Sequence, residues 1–155
     1  MVHGVIIVQT NHCFICANAW IDESNVENGY ATLLPKDSDN SAQKVRKQIL
    51  QQTGKKIAVI ISDTFGRPFR IGQTDHAIGI SGMDAILHYE GTPDTFGKIL
   101  RVTATAISDE LCSAAELVMG KTKKCPAAII KNFEFKENTG SISSIMRPKN
   151  EDLFR

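Results

Sequence analysis

The sequence predicts a mixed α/β or α+β domain with a mixed sheet and two or three helices. Short runs of branched apolar residues at 4–10 and 57–62 have the length typical of buried strands. The segments 41–52 and 107–119 instead place apolar residues at helical spacing. The chain has 155 residues, of which 42% are hydrophobic and 23% charged, enough to bury a substantial core. We therefore predict one domain over 1–155.

The first two predicted strands, at 4–10 and 13–18, are apolar runs near the N-terminus. A polar loop that contains Asp22 and Asn25 follows them. Asp22 could bind a cation, and the amide of Asn25 could pair with a purine or a hydroxyl group. Because both residue types are common in turns, this spacing alone is weak evidence for a site.

A helix is predicted over 41–52, where three apolar residues share one face: Ala42, Val45 and Ile49. Asp39 or Ser41 can cap its first turn through a side-chain oxygen. Gly54 is expected to end it, because glycine readily adopts the left-handed backbone conformation that follows many helices. The most secure predicted strand, 57–62, comes next.

The second half of the chain mixes less regular segments with one clear helix. Residues 76–89 combine glycine breaks with apolar pairs and are compatible with strand, turn or short helix. Residues 91–97 are predicted to form a loop and 100–105 a strand. Helix 107–119 has an apolar stripe and two acidic residues at its positive end: Ile107, Leu111, Ala114, Val118, Asp109 and Glu110. Pro126 opens a last predicted strand, 127–131, before a polar tail.

The overall charge and hydropathy exclude several functional classes. The net charge is +1 and no dense stripe of lysine and arginine occurs, so nothing indicates nucleic-acid binding. No apolar stretch approaches the ~20 residues that a membrane-spanning helix needs, and the first residues do not resemble a signal peptide. We expect a cytoplasmic protein that binds neither nucleic acid nor membrane.

The segment SDTFGRPFRIGQTDHAIGISG, residues 62–82, is the richest in functional groups. Directly after the predicted strand it offers a carboxylate and a hydroxyl from Asp63 and Thr64, and guanidinium groups from Arg67 and Arg70. In α/β sheets, ligands bind beyond the carboxyl ends of strands. Hard cations prefer carboxylate and hydroxyl oxygens, and arginine pairs with phosphate or carboxylate. The segment predicts a site for a metal-bound anionic ligand; the alternative is a polar loop with a local salt bridge and turn glycines.

The four cysteines have two interpretations. Cys13 and Cys16 form a C-x-x-C pair with two histidines nearby, which could hold zinc or act in redox chemistry. Zinc sites of this type usually need a second ligand pair, and Cys112 and Cys125 are predicted to lie on a helix and a turn. We favour small thiols packed in or near the core, because free cysteine is often buried.

The MGKT sequence at 119–122 resembles the end of a phosphate-binding Walker loop, but its context is wrong. The first glycine of that motif would fall at Ala115, and a Walker loop opens a helix whereas this segment closes one. Lysines at a helix C-terminus are favourable for purely structural reasons. We reject the Walker interpretation.

Four motifs in order resemble the coenzyme F420 glutamate ligases: CANA-x-x-D-x-SN, LLP-x-D-x-D-x-SA, SDTFGRPFR and AAELVMGK. The resemblance covers nearly the whole chain and corresponds to the C-terminal two thirds of the family, without a counterpart of its N-terminal third. It implies the glutamate-ligase-like fold of that family and the use of GTP to add L-glutamate to a deazaflavin acceptor. It also implies Mg²⁺ or Mn²⁺, with K⁺ as a further candidate cofactor.

The resemblance assigns roles residue by residue. It implies that Asp22, Asp63 and Thr64 bind metal, in agreement with their chemistry. Asn25 and a loop after the second helix are expected to contact the nucleotide, the loop consisting of Met119, Gly120, Lys121, Thr122, Lys123, Lys124, Cys125 and Pro126. Asp63, Arg67 and Arg70 are the expected catalytic residues, with the arginines binding a substrate carboxylate or phosphate.

The chain also departs from the family at three positions. Cys13 and Trp20 stand where glycine is usual, and Lys121 stands where some relatives have an acidic residue that helps to hold a second metal. Either that metal is held differently here, or the lysine contacts phosphate.

The shorter length allows other functions. The chain could be a non-catalytic fragment, or a subunit of a split enzyme with a separate N-terminal partner chain, that retains a metal–nucleotide site. A related ligase with another acceptor acid would share the same motifs. Helix 41–52 and strand 127–131 carry apolar faces, and Trp20 is expected to be exposed, so we predict a homodimer or larger assembly.

Overall fold

The structure is a computed structural model that describes residues 6–10, 14–17 and 21–152. Its helices and strands follow in the order β1 (Ile7–Gln9), β2 (Ile15–Ala17), α1 (Ser38–Thr53), β3 (Val59–Arg67), β4 (Arg70–Ser81), β5 (Leu87–His88), β6 (Ala104–Thr105) and α2 (Ile107–Met119). Two short 3-10 turns come last, Ile142–Ile145 and Lys149–Glu151. Helices and separate two-stranded sheets confirm the α+β class. The described strands pair only in antiparallel fashion, so the predicted mixed sheet is corrected to three hairpin-like pairs.

The central element is the hairpin of β3 and β4. Its register runs from Val59 opposite Ser81 to Arg67 opposite Arg70, with two irregularities along β3. The predicted strand over 57–62 is too short, because β3 continues to Arg67 where the sequence predicts a loop. Antiparallel pairing with β4 satisfies the backbone N–H and C=O groups of the polar segment, so it forms strand despite its composition.

Both helices pack on β4. Each has a Ser-Asp pair in its first turn, and the aspartate accepts a hydrogen bond from a backbone N–H of β4. The carboxylate of Asp39 accepts from Ile80 N at 2.7 Å, and that of Asp109 accepts from Ala77 N at 2.9 Å. These two bonds fix the helices at neighbouring points of one strand.

Helix α1 differs from the prediction mainly at its N-terminal end. The helix begins three residues earlier than expected, because Asp37 caps it by accepting from the backbone N–H of Asn40 at 2.8 Å. Asp39 and Ser41, the predicted caps, lie inside the helix. Gly54 ends it with a φ of 68°, as predicted. The predicted bounds of α2 are confirmed.

The core lies between the hairpin and the two helices. Its buried members are Phe14, Ala77, Ile78, Ile80, Ala85, Cys112 and Ile142. The approach of α1 to β4 is close: a Cβ atom built on Gly79 would lie 2.4 Å from the carbonyl carbon of Ser38. Only glycine fits there.

The remaining predictions met mixed outcomes. β1 and β2 fall inside the predicted strands 4–10 and 13–18, whereas the predictions for Cys13 and Trp20 lie outside the described residues. The ambiguous segment 76–89 completes β4 and supplies β5, and the strand predicted at 100–105 shortens to β6.

The predicted strand 127–131 is wrong. These residues are exposed and form no strand, because no described strand lies beside them to complete a ladder. No helix within the described parts of the chain is long and apolar enough to cross a bilayer.

Candidate functional site

The site is built across the middle of the β3–β4 hairpin. Thr64 on β3 lies directly opposite Asp75 on β4. The Thr64 hydroxyl donates a hydrogen bond to one carboxylate oxygen of Asp75, and the Ser62 hydroxyl donates to the other at 3.2 Å. Ser62 and Thr64 are two residues apart and so project from the same face of β3. A hydroxyl–carboxylate cluster therefore lies on one face of the hairpin.

Lys121, just beyond the end of α2, reaches this cluster. Its Nζ donates to the Thr64 hydroxyl oxygen and, at 3.1 Å, to Asp75. The carboxylate of Glu116, one turn back on α2, lies 3.9 Å from the same ammonium group. The Lys121 ammonium group thus links the loop after α2 to the hairpin.

Asp63 is the most electrostatically perturbed carboxyl group of the site. Burial of the half-exposed side chain is the largest cause that raises its pKa above the ordinary 3.8, and the negative charges of Asp22 and Asp75 raise it further. A hydrogen bond from the Thr64 backbone N–H and the charge of Lys121 lower the pKa, but less. The Asp22 loop therefore lies within electrostatic reach of Asp63, although Asp63 is inside a strand and not in the predicted loop.

Asp22 itself is exposed and held by its own turn. Its carboxylate accepts from the backbone N–H and the hydroxyl of Ser24, both at 2.8 Å. Its backbone forms a bridge with Thr32. Asn25 lies in the same loop with a positive φ of 55° and an exposed side chain. A bound ligand can reach both residues from solvent.

The oxygen ligands offered by Asp22, Asp63 and Thr64 are those that Mg²⁺ and Mn²⁺ prefer. Asp63 and Thr64 are consecutive residues of β3, however, so their side chains project from opposite faces of the hairpin. Across the described ranges 6–10, 14–17 and 21–152, no group of three or more His, Cys, Asp and Glu side chains is already gathered around one point. The assignment therefore remains a prediction.

The two predicted arginines lie away from these carboxylates. Arg67 and Arg70 face each other where the hairpin turns, and four strand residues, or ~13 Å, separate Arg67 from Asp63. The Arg67 Nη2 donates to the Ile71 carbonyl at 3.3 Å, while its buried Nε has no hydrogen-bond partner among the described residues. A ligand that touches both Asp63 and Arg67 must be extended along the hairpin.

The loop predicted to contact nucleotide is exposed over 121–126. Gly120 and Lys124 both adopt positive φ values, 59° and 54°. Lys123 turns back to the α2 carbonyl of Val118 at 3.5 Å. Within this loop Lys121 is the residue that contacts the hairpin cluster, and the contacts of the loop with a nucleotide stay a prediction.

Sequence reasoning missed Asp75, the residue on which the cluster converges. It is only 4% exposed. Only the cross-strand register places Asp75 opposite Thr64, and the turn at Pro68 and Phe69 lacks the Asn-Gly or Gly signal that would have predicted this register. His76 next to it stacks on Phe65, with ring centroids 4.3 Å apart.

A cavity of about 450 Å³ lies elsewhere, between the start of α1, the end of β4 and residues 138–140. None of the cluster residues lines it. The guanidinium of Arg46 in its wall is already engaged by Glu137 and by the Ile57 carbonyl, at 2.8 Å from the latter. The hairpin cluster is therefore a better candidate for the functional site than this cavity.

The two described cysteine side chains differ. Cys112 is buried, and burial together with the charges of Asp109 and Asp75 raises the pKa of its thiol to about 12. Cys125 is exposed, so the prediction of thiols packed in the core is right for Cys112 and wrong for Cys125.

We predict that iodoacetamide at pH 8 will label Cys125 quickly and leave Cys112 unlabelled until the protein unfolds. The thiolate is the reactive species, and a pKa of about 12 leaves almost none of it at Cys112. Peptide mass spectrometry reports each position separately. Equal rates for the two peptides in the folded protein would contradict the burial of Cys112, and a urea-unfolded sample is the matched control.

Comparison with known proteins gives a consistent result. The family model described as F420-0:gamma-glutamyl ligase matches residues 1–132. A coenzyme F420:L-glutamate ligase of Methanothermobacter thermautotrophicus is 44% identical over 156 residues, covering 99% of this chain and 62% of the relative. Proteins of the same description from Methanocaldococcus jannaschii and Archaeoglobus fulgidus are 46% and 41% identical, each over 97% of this chain and 60% of their own length. The chain spans about three fifths of the length of these relatives.

Proposed function

The chain belongs to the F420-0:gamma-glutamyl ligase family, and from that premise we propose that it acts in the GTP-dependent ligation of L-glutamate to a coenzyme F420 precursor. The observation that carries this proposal is the position of Asp63. Its carboxylate accepts a hydrogen bond from the Thr64 backbone N–H and lies within electrostatic reach of Asp22. Burial is the main cause that raises its pKa, and the negative charges of Asp22 and Asp75, which a cation would offset, raise it further.

The reaction that we propose has two steps. An oxygen of the acceptor carboxylate attacks the γ-phosphorus of GTP, the bond to the β-phosphate oxygen breaks, and an acyl phosphate and GDP result. The glutamate amine then attacks the acyl carbon, phosphate leaves, and the nitrogen loses a proton as the amide forms. The first step is needed because a carboxylate oxygen is otherwise a poor leaving group.

The roles that we propose for the site residues follow from their charges. A bound Mg²⁺ or Mn²⁺ would supply charge neutralisation for the triphosphate, and Asp22, Asp63 and Thr64 are the residues that would hold it. Lys121 offers a further positive charge next to Thr64. Arg67 and Arg70, farther along the hairpin, would bind the anionic acceptor or glutamate through guanidinium–carboxylate pairs.

The test combines binding and turnover. Calorimetry should detect GTP binding that requires Mn²⁺, and an assay with the deazaflavin acceptor, glutamate and GTP should detect the amide product. Because the chain covers three fifths of its relatives, the assay is run with and without the remaining segment of a relative supplied in trans. Absence of nucleotide binding under both conditions would refute the proposal.

A related ligase with a different acceptor is the second candidate. The motifs shared with the family concern the metal and nucleotide more than the acceptor. Nucleotide binding without turnover of the deazaflavin acceptor, but with turnover of another carboxylic acid, would support it. Nucleotide binding without any turnover would instead support a non-catalytic chain or a subunit of a split enzyme.

We also propose a homodimer. Large apolar side chains are strongly exposed, among them Phe69, Ile71, Phe96, Val102 and Ile129. Exposed apolar patches commonly mark association surfaces. Sedimentation at micromolar concentration should show a species of twice the 17.0 kDa chain mass, and a clean monomer would contradict this.

A further inference from the structure

Asp75 is a buried carboxylate with an unusually complete set of donors. Its two side-chain oxygens accept from the hydroxyls of Thr64 and Ser62 and from the ammonium of Lys121. Its backbone carbonyl accepts from the Ser113 hydroxyl at 2.9 Å, which ties this point of β4 to α2. A buried charge is tolerated when it is paired and hydrogen-bonded in this way.

Two of the three side chains that donate to the Asp75 carboxylate, those of Thr64 and Lys121, belong to residues expected to contact the ligand. The single hydroxyl proton of Thr64 is directed to Asp75, so the oxygen lone pairs of Thr64 remain available on its other side. Lys121 takes one of them, and a second is left for a cation. Among the described residues, the Lys121 ammonium group, on a side chain that is 54% exposed, contacts Thr64 and Asp75 of the hairpin and the more distant Glu116 of α2.

We propose that Asp75 is a positioning residue of the site, holding the Thr64 hydroxyl and the Lys121 ammonium where a nucleotide phosphate and its cation bind. This role rests on the proposed function, because it needs a phosphate-bearing ligand. Without the Asp75 charge, Lys121 would lose its closest carboxylate partner and remain a flexible, solvated side chain.

Replacement of Asp75 by Asn tests this role while preserving the size of the side chain. An amide can still accept from a hydroxyl, but it cannot neutralise Lys121. Calorimetry with Mn²⁺ and GTP should show binding weaker by about tenfold or more, the usual effect of losing a charged hydrogen-bond partner. Asp84→Asn is the matched control, since Asp84 lies just after β4 and contacts Asn138 at 2.9 Å, outside the cluster.

A double mutant separates positioning from a general structural role. If Asp75 acts through Lys121, Asp75→Asn combined with Lys121→Met should bind Mn²⁺–GTP no more weakly than Asp75→Asn alone. Thermal melting of each variant is followed by circular dichroism. Should Asp75→Asn fail to fold, Ser62→Ala replaces it, because it removes one donor to the Asp75 carboxylate and leaves Thr64 and Lys121 in place, although it also removes a hydrogen bond between Ser62 and Cys112. About threefold weaker binding is expected.

The proposal is overturned if Asp75→Asn binds Mn²⁺–GTP as tightly as Asp84→Asn does. It is also overturned if the affinity loss of the double mutant equals the product of the losses of Asp75→Asn and Lys121→Met, because the two residues would then act independently. Both results require that the wild-type chain binds Mn²⁺–GTP. If the wild-type chain does not bind, even with the remaining segment of a relative present, the proposed function itself fails and the role of Asp75 fails with it.

Discussion

Replacement of Asp63 by Asn is expected to abolish metal-dependent GTP binding and, at the same time, to stabilise the ligand-free protein. Loss of the carboxylate removes the charge that a divalent cation requires. The opposite effect on stability follows from the raised pKa of Asp63, which shows that its ionised form is disfavoured in the folded state. Each kcal/mol that the substitution adds to the free energy of unfolding should raise the melting temperature by ~2–4 °C.

The sign of the pH dependence follows from the same shift. Because the folded-state pKa of Asp63 lies above its ordinary 3.8, the ionised group opposes folding at all pH values above the raised pKa. As the pH falls through the raised pKa towards 3.8, protonation removes this penalty, and below 3.8 both states are protonated. The stability difference between Asp63→Asn and the wild type should therefore shrink over that window, while Mn²⁺ affinity of the wild type falls.

Urea unfolding at several pH values, with calorimetry on the same samples, measures both effects. Asp84→Asn is again the control, and it should change neither quantity appreciably. Lys121→Ala should weaken GTP binding but leave it detectable, because it removes one positive charge and not a ligand of the cation. Intact Mn²⁺–GTP binding by Asp63→Asn would contradict the metal assignment.

The sequence predicted the helices and strands that are determined by residues within their own segment. Helix α2 was predicted at its correct bounds because its apolar stripe is continuous. α1 was predicted too short because Asp37, outside the apolar pattern, supplies the cap. The β3–β4 hairpin was missed because its turn lacks the usual Asn-Gly or Gly signal: Phe69 adopts the positive φ of 61° there.

The same difference between local and long-range information applies to the site. Asp63 and Thr64 are adjacent in the chain, so the hypothesis that both bind the cation needs only local sequence information. Lys121 was expected in the nucleotide loop, but its contact with Thr64 depends on how α2 packs against the hairpin. Asp75 could not be predicted, since only the cross-strand register brings it to Thr64, and register depends on a turn that the sequence did not reveal.

Gly79→Ala should destabilise the protein strongly, by about 3 kcal/mol or more, because the added methyl group has no room. Its Cβ would lie 2.4–2.5 Å from the backbone and Cβ atoms of Ser38. The start of α1 cannot move away freely, since Asp39 is bonded to Ile80 N at 2.7 Å and to the Ser141 hydroxyl, also at 2.7 Å. Retreat of the helix would stretch both bonds. The melting temperature should fall by roughly 6–12 °C.

Gly66→Ala provides the matched control on the same hairpin. Gly66 is exposed, has no atom within 4 Å of a built Cβ and does not need a positive φ, so the substitution should stay within ~0.5 kcal/mol of the wild type. Circular dichroism melting of the two variants isolates the steric contact from any general intolerance of alanine in these strands. Equal melting temperatures would mean that α1 does not press on β4 at Ser38. Because β4 also carries Asp75, such a result would require a different account of how the site is held together.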